Sequence, residues 1–167
     1  SLYVFRAWHS MPDEFHDAEG WPTNAVHGFA RFLLERGAKT EPPGATPALL
    51  AAAGSEEDDA AGVQLLLKHK ARVNAHDAHG RSALHEAALA GNDEALAALL
   101  QAGAEVDARD DAGRTPLLDA ARGAHLSTID ALLAAGADIA AVDGHGRGVI
   151  GLACLADAPS ALLMQRL

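Results

Sequence analysis

Apolar residues recur along this chain in short bursts at helical spacing. Ala83-Leu84 with Ala87-Ala88 makes one small apolar face, and Ala95-Leu96 with Leu99-Leu100 makes a second. Steps of three and four predict a pair of short helices. Ser82 and Thr115 stand where a helix N-cap is wanted, and Pro116 suits a first helical turn. Gly91 or Gly123 is expected to close the first helix. Asp93 and Glu94 near the start of the second helix suit its dipole. Gly103 ends that helix, and the chain then extends through Ala104-Glu105-Val106-Asp107. Asp-x-x-Gly-Arg, at Asp77–Arg81 and again at Asp110–Arg114, is turn chemistry, with glycine free to take positive φ.

This pattern repeats. Gly80, Gly113 and Gly146 are 33 residues apart, as are Arg81, Arg114 and Arg147, and Asp77, Asp110 and Asp143. The doublets Leu33-Leu34, Leu66-Leu67, Leu99-Leu100 and Leu132-Leu133 keep the same step of 33. A unit of this size cannot bury its own apolar face, so it buries it on its neighbours.

Thr115-Pro116-Leu117, Ser82-Ala83-Leu84-His85, Gly103-Ala104-Glu105-Val106-Asp107 and Gly136-Ala137-Asp138-Ile139 together resemble the ankyrin repeat. The resemblance implies an all-α solenoid of stacked helix–turn–helix units with hairpin-like turns. Residues 77–109 and 110–142 are the clearest units. Residues 41–76 form an earlier unit with three extra residues between its helices, in Ser55-Glu56-Glu57-Asp58-Asp59. Residues 1–40 read as a divergent N-terminal unit, and 143–167 as a divergent or truncated C-terminal one, within a single domain 1–167. Leu162–Leu167 resembles a second helix stopped before its Gly-Ala terminator. The array is therefore expected to continue past Leu167 or to end in a shortened cap with an apolar flank at Leu162 and Leu163.

Composition narrows the function. Residues AVILMFWYC make up 49%, enough for a packed core. The seven aromatic residues all lie between Tyr3 and Phe32, so the remainder is packed with Ala, Leu, Ile and Val. The balance of 23 acidic against 13 basic residues gives −10, which argues against a nucleic-acid binder. No apolar run approaches the ~18 residues of a membrane span, so no membrane contact is expected within the chain. No secretory signal pattern opens it; the sequence leaves the compartment open, with the cytoplasm slightly favoured. Arginine outnumbers lysine in an Ala- and Leu-rich spelling that fits a bacterial genome.

Catalysis and cofactors are not expected. Ser82, His85 and Glu86 carry the residue types of a hydrolase triad, but they share one helical turn, whereas a triad joins separate elements. The resemblance makes His85 a brace for the turn. His76 and His79 belong to a turn without a third ligand, and His79 and His145 sit two units apart, so no metal site is expected among the nine histidines. Cys154 falls in an alanine column and reads as a small buried residue. Asn74 reads as a hydrogen-bonding turn residue.

The resemblance places the turn tips and the outward positions of the first helices on one concave face, the family's usual contact surface. Those columns carry His76, His79, Arg81, Arg109, Asp111, Arg114, Arg122, His145 and Arg147. They predict a basic face on an acidic molecule, suited to a partner protein with an acidic surface. The alternative is a non-catalytic docking or regulatory domain of a larger multidomain or membrane-anchored protein.

Overall fold

The computed structural model describes residues 34–37, 47–55 and 60–155. The chain divides into two units, Ser1–Lys39 and Thr40–Leu167. In the first, the described turn ends with Gly37 N–H donating to Leu34 O at 3.0 Å, Gly37 having φ +91°. The aromatic-rich segment 3–32, the acidic loop 56–59 and Leu162–Leu163 lie outside the described residues.

In the second unit the described residues form seven helices: α1 (Ala48–Ala53), α2 (Ala60–Lys68), α3 (Ala83–Ala90), α4 (Asp93–Gln101), α5 (Pro116–Arg122), α6 (Leu126–Ala134) and α7 (Val149–Ala153). Among those residues the only β pairing is two isolated bridges, His76 with Ser82 and Val142 with Gly148. The fold is all-α. The first helices α1, α3, α5 and α7 pack in order as one layer, and α2, α4 and α6 pack as a second. Alanine permits that close approach: Ala87, Ala88, Ala120, Ala121 and Ala153 are fully buried. The outer layer is sealed by two columns, Val63–Leu96–Ile129 and Leu66–Leu99–Leu132, all buried. The α1–α2 connection spans 54–59, against 91–92 and 123–125 in the following pairs.

Each turn tip is built on one carboxylate oxygen. Asp77 Oδ1 accepts from the N–H groups of His79 and Arg81 at 2.8 and 3.0 Å. Asp110 Oδ1 accepts from Ala112 and Arg114, and Asp143 Oδ1 from His145 and Arg147, all at 2.9 Å. Gly80, Gly113 and Gly146 take φ +71°, +72° and +73° to close these tips. Neighbouring tips are stitched together: Asp111 N–H donates to His79 O at 3.0 Å and Gly144 N–H to Ala112 O at 2.8 Å.

Both glycines cap their helices as expected: Gly91 closes α3 in the left-handed region at φ +72°, and Gly123 closes α5 at φ −79°, with the left-handed turn passed to Ala124 at φ +57°. The repeat register explains this, because the residue 33 after Gly91 is Ala124. Gly123 also makes room for a ring: a Cβ there would stand 2.5 Å from His125 Cδ2. One expectation needs correction. Cys154 is exposed, not buried, because α7 ends at Ala153 and leaves the thiol on the C-cap residue.

Candidate interaction face

The tips and first helices carry the nine residues singled out above. His76, His79, Asp111 and His145 are exposed on the tips. Arg122 is exposed at the end of α5, remote from its tip by the length of that helix. Arg147 keeps 44% of its side chain exposed, while its Nη2 lies 2.7 Å from Asp143 Oδ2. Its guanidinium also donates through Nε to Asp143 at 2.8 Å, the largest of the effects that push the Asp143 carboxyl down to about 2.

Arg109 is exposed but held. Its Nη1 donates to Gly113 O at 3.1 Å and to Val142 O at 2.9 Å, bridging two successive units. Arg109 and Arg114 share a tip region in sequence, yet the structure points them differently. Arg114 folds back on its own turn, donating Nε and Nη2 to Asp110 Oδ2 at 2.9 and 2.7 Å, with 20% of the side chain exposed.

Arg81 turns inward still further, with 11% of its side chain exposed. Its Nε donates to Glu86 Oε1 at 2.6 Å, Nη2 lies 3.1 Å from Asp119 Oδ2, and Nη1 lies 3.7 Å from Asp110 Oδ2. One guanidinium thus joins its own helix α3 to the tip and the helix of the next unit. Asp119 is fully buried, and neither carboxylate oxygen accepts an aligned hydrogen bond. Burial raises the Asp119 carboxyl above its ordinary value, against the pull of Arg81 and Arg114. Burial works the same way on Asp110, but the side-chain and backbone hydrogen bonds of Arg114 outweigh it and hold that carboxyl low.

His85 braces the turn, as the resemblance implied. Ser82 N–H donates to Nδ1 at 3.2 Å and Ser82 Oγ stands 2.9 Å from the same nitrogen. Nε2–H is then the donor to Arg114 O at 3.0 Å. Burial pushes the imidazole pKa down, so the ring is neutral. The next unit has Leu118 in that column, and Thr115 Oγ1 is consequently buried without a partner. Asn74 Oδ1 accepts from Glu105 N–H at 2.9 Å, the hydrogen bond expected of a turn residue.

Two residues carry more than their sequence context announced. Asp119 occupies the column of Glu86, one step of 33 later, and that shared acidity was its one visible signal. His125 shares no spacing with other histidines. Its ring lies against Gly91 and Gly123 and donates Nε2–H to Leu89 O at 3.0 Å. Among the described residues no group of three or more His, Cys, Asp or Glu is placed to hold a metal ion, and no helix is long and apolar enough to cross a membrane.

Comparison with curated proteins finds no match to the chain. The family model described as ankyrin repeats in three copies matches residues 24–110, and the single ankyrin repeat model matches residues 112–144. With the two-layer stack, the aspartate-built tips and the His85 brace in place, these matches establish that the chain belongs to the ankyrin-repeat family.

Proposed function

We propose that the chain binds a partner protein through the concave face of turn tips and first helices, and that it meets an acidic surface there without catalysis of its own. Ankyrin repeats are in general protein–protein interaction modules and non-catalytic. Arg109 and Arg122 supply the forks of the face, Arg147 adds an exposed guanidinium already paired with Asp143, and His76, His79, Asp111 and His145 form the rim. Arg81 and Arg114 shape it from beneath, since their guanidinium groups are spent on carboxylates of the fold.

The observation that carries this reading is Arg109. Its guanidinium is exposed yet pinned through Nη1 to Gly113 O and Val142 O. Nε and Nη2 are left to grip a carboxylate, and little rotamer freedom remains to be lost on binding. The test is affinity capture with the whole chain as bait beside the double reversal Arg109→Glu, Arg122→Glu. A partner retained by the wild type, released by salt and lost from the double reversal supports the face. A partner retained by the double reversal but lost when Glu56 and Glu57 are reversed to lysine moves the interface elsewhere.

A further inference from the structure

The three Asp-x-x-Gly-Arg turns are not equivalent. In the second and third, the free carboxylate oxygen is closed by the arginine of the same turn: Arg114 on Asp110 Oδ2 at 2.7 Å, Arg147 on Asp143 Oδ2 at 2.7 Å. In the first, Arg81 is drawn away by Glu86, Asp119 and Asp110. Asp77 Oδ2 is left without a partner among the described residues, while Oδ1 still holds the turn.

Asp77 also borders a cavity of about 240 Å³, lined among the described residues by Leu50, Ala51, Gly54, Asp77 and Glu86. Leu50, Ala51 and Gly54 make an apolar wall at the end of α1. Glu86 reaches in from α3, its Oε2 passing 3.4 Å from the point a Cβ on Gly54 would occupy. The volume is below the roughly 300 Å³ at which pockets for drug-sized ligands begin, so the occupant is a single side chain. Among the described residues the lining carries two carboxylates and no cation. Glu86 already holds Arg81 through Nε, whereas Asp77 feels the charges of Arg81 and His79 without a cation in salt-bridge contact among the described residues. The hydrogen bonds from Arg81 and His79 outweigh the opposing effect of burial and keep the Asp77 carboxyl below its ordinary value, hence ionised.

We propose that this notch, with the Asp77 carboxylate on its lining and Leu50, Ala51 and Gly54 as its wall, receives a basic side chain of the bound protein. A lysine or arginine suits it because the aliphatic stem can lie on apolar surface while the charged head meets the carboxylate. The partner surface is then dipolar: a cationic anchor at the Asp77 notch and acidic groups opposite Arg109, Arg122 and Arg147. This deepens the concave-face reading and rests on it for its biological setting.

The probe is N-acetyl-arginine methylamide, titrated at millimolar concentrations into the whole isotope-labelled chain, with N-acetyl-norleucine methylamide as the uncharged control. The backbone amides of Ala51, Gly54, Asp77 and Glu86 are expected to shift saturably with the first and not with the second. Asp77→Asn keeps an Oδ1 acceptor for the turn and removes the charge. It should weaken half-saturation about tenfold, the scale of a lost charge-assisted contact. Ala51→Leu fills the space, leaves both carboxylates and should abolish the shifts. Circular dichroism of both variants checks that the helices persist. Absent shifts in the wild type, equal shifts with the norleucine compound, or shifts unchanged in Asp77→Asn overturn the notch. The probe requires no partner, so such a failure leaves the arginine reversals to decide the face separately.

Discussion

His85 and Arg114 are 29 residues apart and joined at 3.0 Å, imidazole Nε2 to main-chain oxygen. The bond spans two units, so the tip of one is held by a side chain of the unit before it. His85 also accepts from Ser82 N–H, so the ring satisfies a helix start and a neighbouring turn together. His85→Leu removes both and leaves a buried N–H and a carbonyl oxygen without partners. The expected loss is about 2–3 kcal/mol in urea-induced unfolding. The mirror experiment is Leu118→His, which offers the buried Thr115 Oγ1 the partner it lacks. A smaller loss than that from His85→Leu, or a gain, is expected.

Stability should fall with acid in two windows. The buried His85 imidazole has a pKa below its ordinary 6.5, so the unfolded chain binds a proton that the folded chain refuses. Stability is therefore present above 6.5 and declines as the pH falls below it. The His85→Leu variant should lose that slope. A second decline comes from Asp143, lowered from 3.8 to about 2, as the pH falls through that interval. Asp119 is shifted upward and works in the opposite sense, gaining as acid neutralises it. Urea midpoints measured between pH 8 and the acid limit check both signs.

Ala124 holds a left-handed backbone at φ +57°, in the register where Gly91 sits at φ +72°. A Cβ is unfavourable there by about 1 kcal/mol, partly returned through the extra freedom glycine has when unfolded. Ala124→Gly should raise stability by about 0.5 kcal/mol, read as a higher melting temperature.

Arg81 and Arg109 should separate cleanly. Arg81→Ala leaves the fully buried Asp119 short of its nearest guanidinium and should cost about 3 kcal/mol or more. Pairing Arg81→Met with Asp119→Leu removes both charges and should restore much of that loss. Arg109→Ala, on an exposed side chain, should cost about 1 kcal/mol or less. Equal losses at the two positions would contradict the division between a shaping and a contacting arginine.

The parts of the fold legible in the sequence are those whose chemistry is local and repeated. The Val63–Leu96–Ile129 column seals the outer layer because its spacing is the spacing of the unit. The aspartate of each tip bonds within its own turn, so five adjacent residues specify it. The candidate site was less legible, because Arg81, Arg114 and Arg147 are identical as letters and different in company. Which carboxylate each takes depends on its own helix and on what the next unit presents: Glu86, Asp119 and Asp110 together draw Arg81 away. Asp77 becomes open only as a result of that redirection. Gly123 was legible as the cap of α5, but not its second role, admitting the ring of His125, which local spacing does not encode.

That ring also ties three positions into one energetic unit. A Cβ on Gly91 would stand 2.4 Å from His125 Nδ1, and one on Gly123 2.5 Å from Cδ2. A side chain at either glycine therefore has to push the imidazole aside and away from Leu89 O. With a smaller residue at 125 that crowding is gone, so the costs of changes at 91, 123 and 125 do not add.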